Sequence, residues 1–590
     1  MSRHIFSLDT FRHRVAHLEA LPQFALLGVV AGILTGLVIL ALRQAIEIPL
    51  RYWLPDNDPE NFESLSTLSR FLAPLLGTLL IGLIFTYINR ESRDVGVPHV
   101  LERLNYHQGH LSLKNAAAQF LAAVISVVSG QSAGREGPAI HLGAAFSSFL
   151  GRSLGLPNNS IRVLVGCGAA AAISASFNTP IAGVIFAMEV IIMEYTIAGF
   201  TPVILASVSA AVVTRLVYGA DPAFEVPALS ISSLWDIPFT ILLGLIFGTL
   251  SALFIKTVRY FGRMHRFPLM SRALFAGVVT GILAVIAPEI MGISYDSVND
   301  ALAGNITLQV LCLIALAKLV ATAIPVGLGI PVSLIGPTIV IGSCAGAALG
   351  IAGNILMPEH ASEVGLYSML GMGAMMGATL QAPLAALMAL LELTANPNII
   401  LPAMLTIITA NITAHSFFKE PSVFVAMLAN QGKKLKDTPL QQALRRAGVS
   451  SLMNENFVSY DRELSNEQLA TILNATPEWI VIRIDNKPIY LMPCADLTRY
   501  LDARDPSEND TADKAHAEAK KGVVDLLTIP ARRLDLTSIS HQATLQEALE
   551  TLHSSGFEAL YVERRVTSNM KSIAGIITRD DIEHFYLHKQ

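Results

Sequence analysis

Two adjacent charged residues, Arg135 and Glu136, lie inside a long apolar region, in the stretch G-R-E-G-P at 134–138. Charges at membrane depth cost about 2.5–3.5 kcal/mol on insertion scales, so they usually mark a transport pathway or an ion pair. Pro138 is typical of a helix start, and we expect a helix through Ala139–Gly151. Because a helix start offers free N–H groups and a partial positive charge, this stretch favours an anion site. Glu136 would then be a tethered anion that competes with a diffusing one.

The composition predicts a polytopic membrane protein. Of the 590 residues, 52% are hydrophobic and only 15% are charged, whereas soluble proteins carry nearer a quarter of charged residues. Apolar runs reach spanning length, for example Phe24–Leu42, Ile237–Phe254 and Leu308–Ala323. The net charge of −5 is small and gives no indication of nucleic-acid binding. The four cysteines have no spacing that predicts a metal site or a disulfide framework.

The charges of the polar segments predict an orientation. Acidic residues concentrate at 51–68, 217–236 and 288–304, whereas basic residues concentrate at 90–103, at 256–272 and after the last apolar segment. The positive-inside rule therefore predicts that the basic stretches and both termini are cytoplasmic and that the acidic loops face outside. Residues 1–20 lack the pattern of a cleavable signal, and we expect them to form a cytoplasmic N-terminal segment.

Three motifs recur in the same order along the chain, at offsets of 199 to 205 residues. Small residues are common in membrane helices, so one match would carry little weight. Three matches in register predict duplicated halves, which are typical of secondary transporters with broken helices. We expect the two matched glutamates to be structural, capping helices or pairing across the halves. The aligned motifs are Gly137–Gly151 with Gly336–Gly350, Gly166–Gly168 with Gly371–Gly373, and Pro180 and Glu189 with Pro383 and Glu392.

The composition changes from about residue 445. Trp479–Ile484 and Ala559–Val562 are short and β-rich, and Leu545–Leu552 has helical periodicity, which predicts a soluble α/β domain. The charged, alanine-rich segment 502–521 is typical of a mobile linker. The expected organisation is an N-terminal segment at 1–20, a membrane domain at 21–430 with halves at about 21–255 and 270–430, a linker at 431–446, and a C-terminal domain at 447–590.

The motif at 134–138 resembles the signature of the CLC chloride channels and proton-coupled chloride exchangers, and the resemblance covers roughly residues 20–430. It implies an α-helical polytopic membrane protein, not an enzyme, in which an inverted repeat builds one pore per subunit of a homodimer in the cell membrane. The partners implied are chloride or a similar anion, and protons. By the same resemblance Glu136 is the external gate, whose carboxylate occupies an anion site when charged and swings away when protonated.

The resemblance also implies the residues that bind the anion. In D-V-G-V-P at 94–98 the family's serine is replaced by Val95, and in S-L-I-G-P at 333–337 backbone N–H groups would donate. The family's pore tyrosine is replaced by Phe424. Because a buried anion needs donors to replace its hydration, losing both hydroxyls leaves the preference for chloride over nitrate open. The implied set is Val95, Gly96, Arg135, Gly137, Leu334, Ile335 and Phe424.

The position of the inner proton-carrying glutamate in many exchangers of the family is Val190 in this chain. Channels of the family also carry valine there, and some exchangers lack the acid. A coupled antiporter and a passive voltage- or pH-gated channel are therefore both compatible with the sequence. An intramembrane metalloprotease would need H-E-x-x-H, which is absent, and a divalent-cation transporter would need several acids facing the pore.

The tail resembles a pair of cystathionine-β-synthase (CBS) domains. In G-I-I-T-R-D-D-I at 575–582, Thr578 and Asp581 match the pattern that holds a ribose and phosphate in nucleotide-binding members. The first unit, Pro493–Asp496, keeps the acid but lacks the hydroxyl. No cofactor is required for transport, but an adenine nucleotide at the CBS pair is compatible with this pattern, as is a purely structural pair.

Overall fold

The computed structural model describes residues 21–193, 197–224, 226, 236–356, 362–433, 435, 439–502, 523–565 and 571–587. The predictions for the N-terminal segment at 1–20 and for nearly all of the charged segment at 502–521 lie outside these residues. The described residues form two units. The first contains Leu21–Leu154 and Ile161–Leu435, and the second contains the chain from residue 436 onward together with Gly155–Ser160.

The first unit is built from α-helices. Within the described residues, nine helices are long and apolar enough to cross a membrane, which confirms the predicted polytopic fold. The helices are α1 (Leu21–Trp53), α2 (Thr67–Tyr87), α3 (Gly96–Tyr106), α4 (Leu113–Val128), α5 (Glu136–Ser153), α6 (Asn158–Phe177), α7 (Pro180–Phe186), α8 (Ile197–Tyr218), α9 (Asp236–Gly262), α10 (Leu269–Ile286), α11 (Tyr295–Ala303), α12 (Leu308–Gly327), α13 (Ile335–Leu356), α14 (Val364–Leu380), α15 (Pro383–Thr394), α16 (Ile400–Ile412) and α17 (Val423–Asn430).

Two interruptions of the helical chain meet each other. Helix α4 ends before Gly130, and α12 ends before Gly329; both glycines have a positive φ, +73° and +76°, which turns the chain at low steric cost. Beyond these turns, the N–H of Gly134 donates to the carbonyl of Ser333 at 3.3 Å. The sequence predicted both interruptions. It placed the start of α5 at Pro138, but the helix begins at Glu136, because the first turn tolerates a proline that has no N–H.

Matched glycine contacts support the internal repeat. A Cβ on Gly143 would lie 2.3 Å from the carbonyl oxygen of Gly168, and a Cβ on Gly342 would lie 2.2 Å from that of Gly371. Helix α5 therefore packs on α6 as α13 packs on α14. The counterpart of Gly371 is then Gly168, and the alignment with Gly166 is wrong by two residues. The physical reason is that Gly166 faces a side chain, that of Ile192, rather than the opposite helix backbone.

The two matched glutamates cap helices of the opposite half, as predicted. The carboxylate of Glu392 accepts the N–H groups of Ile181 and Ala182, at 2.9 and 2.7 Å, at the start of α7. The carboxylate of Glu189 accepts the N–H groups of Leu384 and Ala385, at 3.3 and 2.8 Å, at the start of α15. Free N–H groups of the first turn thus receive acceptors from across the repeat.

The acidic segment 288–304 is not only a loop. It contains α11, whose buried residues Val298, Ala301 and Leu302 lie on one helical face. The acidic composition favoured a solvated loop, but the spacing of these apolar residues is that of an amphipathic helix. This correction matters because α11 begins at Tyr295, next to the predicted gate.

The second unit is an α/β structure with an internal repeat. Each half contains a parallel strand pair followed by an antiparallel one, β1 with β3 and β3 with β4, then β6 with β7 and β7 with β8. The strands predicted at 479–484 and 559–562 and the helix predicted at 545–552 are confirmed. The remaining helices are α18 (Pro439–Arg445), α19 (Asn466–Ala475), α20 (Cys494–Asp502), α21 (Leu545–Ser555) and α22 (Arg579–Leu587); the strands are β1 (Phe457–Asp461), β2 (Glu463–Ser465), β3 (Trp479–Ile484), β4 (Lys487–Pro493), β5 (Val523–Asp525), β6 (Leu534–Ser540), β7 (Ala559–Arg565) and β8 (Lys571–Thr578).

Candidate functional site

Four helix starts surround one cavity in the first unit. The cavity has a volume of about 510 Å³, and residues at the beginnings of α3, α5, α13 and α17 line it. Helix starts offer N–H groups and a partial positive charge, so the cavity suits an anion. Six of the seven predicted anion-binding residues are among its lining residues: Val95, Gly96, Gly137, Leu334, Ile335 and Phe424.

Glu136 directly precedes Gly137, which lines this cavity, and it is fully buried. One carboxylate oxygen, Oε2, accepts the N–H of Gly336 at 3.2 Å, in the first turn of α13. The other, Oε1, accepts the hydroxyl of Tyr295 at 2.8 Å. Both oxygens of the carboxylate therefore accept a hydrogen bond. The side chain thus stands where the amide of a helix start would otherwise hold an anion.

Two glycines leave the space for this carboxylate. A Cβ on Gly134 would lie 2.0 Å from Oε2 of Glu136, and a Cβ on Gly336 would lie 3.0 Å from the same oxygen. Gly134 lies in the first of the two interruptions that meet in the fold, and Gly336 lies in the first turn of α13, directly after the second. We call the space between them, occupied by the Glu136 carboxylate, the gate seat.

Arg135 is not among the residues that line the cavity, and its role as an anion-binding residue stays a prediction. Its guanidinium lies 3.5 Å from Oε1 of Glu47 and 3.5 Å from the carbonyl oxygen of Ser176. Glu47 also accepts the hydroxyl of Tyr218 at 3.3 Å. The adjacent charges of Arg135 and Glu136 therefore serve different partners, and Arg135 joins α1 to the start of α5.

The predicted anion-binding residues in the lining carry no hydroxyl of their own, and Ser333 lies beside them. Val95 precedes α3 without a side-chain cap, and Phe424 is almost fully buried. The N–H of Gly137 donates to the hydroxyl of Ser333 at 3.0 Å, so this amide already has an acceptor. An anion in the cavity would therefore depend on the other helix-start amides. Val190, at the inner proton position, is buried in a π-helical turn at Ala187–Ile192.

Charged side chains of the lining carry a positive excess. Arg93, Arg272 and Lys433 oppose Asp94 and Glu102, and His265 adds a further nitrogen base. Lys433 lies 2.7 Å from Glu102. Burial raises the pKa of Asp94, and Lys433 opposes this shift. A cavity with a positive potential concentrates anions.

Tyr295 is a site residue that the sequence did not reveal. Nothing in an acidic segment singled out one tyrosine, although the helical periodicity of α11 could have indicated a buried face. Lys318 supports the segment before it: its ammonium donates to the hydroxyl of Ser294 at 2.7 Å and to the carbonyl of Ile290 at 3.1 Å.

Thr578 and Asp581 in the second unit contact each other. The Thr578 hydroxyl donates to Oδ2 of Asp581 at 2.7 Å, and the N–H of Asp581 donates back to that hydroxyl at 3.2 Å. This pair caps the start of α22. Within the described residues, no group of three or more His, Cys, Asp or Glu side chains could hold a metal ion.

Two curated relatives match most of the membrane part. A ClcB-like chloride channel protein from Ralstonia nicotianae is 32% identical over 417 residues, which are 69% of this chain and 96% of the relative. The H(+)/Cl(-) exchange transporter ClcA from Salmonella agona is 28% identical over 427 residues, 69% of this chain and 89% of the relative.

A solved structure and a family model agree with these relatives. The structure of a slow cyanobacterial Cl−/H+ antiporter matches with a TM-score of 0.62 and 21% identity, covering 69% of this chain and 97% of that one. At this identity the likeness shows the fold alone. The family model described as voltage gated chloride channel matches residues 76–415, more than half of the chain. A cavity lined by helix starts, a carboxylate in the gate seat and these matches show that the chain belongs to the voltage-gated chloride channel (CLC) family.

Proposed function

We propose that this protein carries chloride or a similar monovalent anion across the membrane, as an anion/proton antiporter gated by Glu136. The observation that carries the proposal is the Glu136 carboxylate in the gate seat, 3.2 Å from the helix-start amide of Gly336. A side-chain carboxylate at a helix start acts as a substitute for a free anion. Relatives named as an H(+)/Cl(-) exchange transporter and as a chloride channel protein support the choice of ion.

The chemistry of the gate follows from its charge. Ionised Glu136 holds the gate seat because both carboxylate oxygens have donors, from Tyr295 and Gly336. A protonated carboxyl group loses most of its attraction to the positive end of α13 and leaves the seat. A diffusing anion then takes the same donors. Each opening therefore binds one proton, which couples anion movement to proton movement when the proton is released on the other side.

A passive channel is the second candidate, and one residue favours it. The inner proton position is Val190, which is buried and cannot carry a proton. Protons would then reach Glu136 from one side only, and its protonation would open the pore without transport of the proton. A chloride gradient imposed on proteoliposomes separates the two candidates: uphill proton movement supports the antiporter, and its absence during anion flux supports the channel.

Replacement of Glu136 by glutamine tests the gate in either candidate. In E136Q the side chain is neutral at every pH, so we expect anion flux to continue, to lose its pH dependence and to lose proton coupling. Chloride efflux and internal pH are measured together in proteoliposomes between pH 4.5 and 7.5. The matched control is D221N, which neutralises an exposed carboxylate of the same unit and should leave flux and coupling unchanged. Flux that stays fully pH-dependent in E136Q would remove Glu136 from the gate.

The assembly and location implied by the resemblance belong to the same proposal. We infer a homodimer in the cell membrane with both termini cytoplasmic. The exposed apolar side chains of Ile181 and Leu384, each about half exposed at matched positions of α7 and α15, support a partner or lipid at that surface. The repeated strand pattern of the second unit supports a pair of CBS domains. An adenine nucleotide near Thr578 and Asp581 is the ligand that such a pair would take.

A further inference from the structure

The hydroxyl of Tyr295 contacts the transport gate although no motif led to this residue. It donates to Oε1 of Glu136 at 2.8 Å, while Oε2 accepts the N–H of Gly336 at 3.2 Å. The gate carboxylate is therefore held by one side-chain hydroxyl and one helix-start amide. These are the two kinds of donor that a dehydrated anion needs.

The protein positions this hydroxyl through three sets of contacts. The ring of Tyr295 meets Phe224 edge to face, with centroids 5.3 Å apart, and the Phe177 ring lies 6.4 Å away. Ser294, directly before it, accepts a hydrogen bond from the fully buried Lys318 at 2.7 Å. Ser294 has a positive φ of +62°, which this bond helps to maintain. These contacts favour a Tyr295 hydroxyl that stays in place when another acceptor replaces the Glu136 carboxylate.

The hydroxyl also lies beside the amide that defines the gate seat. A Cβ built on Gly336 would be 3.3 Å from the Tyr295 hydroxyl oxygen and 3.0 Å from Oε2 of Glu136. When Glu136 leaves, both donors lose their acceptor in a buried space, which is costly unless another acceptor arrives. An anion that enters the seat can accept from both at once.

The residues at the inner end of the cavity give this donor its importance. Val95 and Phe424 stand where the resemblance leads one to expect a serine and a tyrosine hydroxyl. Both line the cavity without a polar side-chain atom. Tyr295 supplies a hydroxyl next to Gly336.

We propose that Tyr295 is an anion-binding residue of the gate seat, whose hydroxyl is donated in turn to the Glu136 carboxylate and to the transported anion. The inference rests on the proposed transport function. It predicts that the anion affinity of a variant without the Glu136 carboxylate depends on the Tyr295 hydroxyl, because no carboxylate then competes with the anion for that hydroxyl.

The test compares E136A with E136A/Y295F in proteoliposomes. Chloride efflux is measured as a function of chloride concentration, and we expect the loss of one hydroxyl donor to a charged ligand to weaken apparent chloride affinity about tenfold. The matched control is E136A/Y260F, because Tyr260 is an exposed tyrosine away from the seat and should leave the affinity unchanged. A second measurement avoids reliance on flux: chloride should raise the unfolding midpoint of purified E136A more than that of E136A/Y295F.

Two results would overturn the inference in distinguishable ways. Equal chloride affinity and equal chloride stabilisation in E136A and E136A/Y295F would mean that Tyr295 contacts the gate only, with the proposed transport function intact. No anion flux from the wild-type protein and from E136A would instead overturn the proposed function, and the anion role of Tyr295 with it.

Discussion

At the scale of single residues, the cavity lacks the two side-chain hydroxyls that the family resemblance leads one to expect. Val95 and Phe424 line it without polar side-chain atoms, so we expect an anion beside them to depend on helix-start amides. A side-chain hydroxyl contributes about 1 kcal/mol to a typical hydrogen bond and more to a charged acceptor. Selectivity among anions should therefore respond strongly to one restored hydroxyl.

The replacement of Val95 by serine restores such a donor. We expect V95S to prefer chloride over nitrate about fivefold more than the wild type, because the small hydroxyl adds about 1 kcal/mol for the smaller, more strongly hydrated ion. The relative rates of efflux of the two anions from proteoliposomes measure this ratio. V95A is the control, since it removes the same bulk without a hydroxyl. Equal selectivity in V95A and V95S would contradict the hydroxyl as the determinant.

The sequence singled out Glu136 but not its neighbour Tyr295. Glu136 was recognisable because its charge lies in an apolar segment between glycines, a local pattern. Tyr295 was not, because the contact with Glu136 spans 159 residues of sequence and nothing nearby marks it. Arg135 lies next to Glu136 in the sequence but contacts Glu47 of α1, because successive residues at a helix start point in different directions.

At the scale of helices, the inverted halves hold each other through reciprocal caps. Glu392 accepts the first-turn N–H groups of α7, and Glu189 accepts those of α15. Glu392 lies in α15, the helix that Glu189 caps. Glu189 lies in the π-helical turn that directly continues α7, the helix that Glu392 caps. The equal spacing from proline to glutamate in the two halves made this pairing predictable from the sequence. The partner helices could not be predicted, because the spacing does not specify which helix end each carboxylate reaches.

The symmetry of the caps leads to a prediction about stability. We expect E189A and E392A each to destabilise the protein by about 1–2 kcal/mol, since each leaves two helix-start N–H groups without acceptors. The two losses should be equal because the contacts are equivalent. Thermal unfolding in detergent measures both, with E455A, which removes an exposed carboxylate, as the unaffected control. A loss in one variant and none in the other would mean that the capping roles are not equivalent.

At the scale of the whole molecule, composition alone separated the two units. The fraction of apolar residues falls near residue 445, and the structure divides the chain close to Lys436. Strands and helices of the second unit followed from period-2 and period-3.6 patterns. The cavity did not follow, since it is formed by helix starts that are far apart in sequence. The sequence predicted that helices are broken, but it did not predict that their starts converge, because convergence depends on long-range packing.

The stability of the protein should also depend on one half-buried acid, Glu60, between α1 and α2. Burial, and then the nearby carboxylate of Asp296, raise the pKa of Glu60 from 4.5 to about 7. Two weaker influences lower it: Oε2 of Glu60 accepts the N–H of Asp296 at 3.0 Å, and the positive charge of Arg135 lies nearby. The folded state therefore binds a proton at Glu60 more tightly than the unfolded state does. The ionised Glu60 carboxylate destabilises the folded protein above pH 7, and this destabilisation disappears as the pH falls toward 4.5.

The variant E60Q removes this penalty and keeps an acceptor for Asp296. We expect its unfolding midpoint to exceed that of the wild type by about 2 °C at pH 8 and by much less at pH 5, a change of about 1 kcal/mol after solvent screening. Thermal scans in detergent at both pH values measure the difference. E91Q, an exposed acid, should show no such pH dependence. A gain for E60Q at pH 5 as large as that at pH 8 would exclude titration of Glu60 as the cause.

The two glycines around the Glu136 carboxylate limit how this protein can change. A methyl group at position 134 would overlap the carboxylate oxygen that lies there, and one at position 336 would press against it at 3.0 Å. If Glu136 is the gate that we propose, such a substitution disturbs its resting position at every pH, and the pore loses part of its closed state without any change to the acid itself. Regulation of the pore is therefore as sensitive to two residues without side chains as it is to the charged one between them.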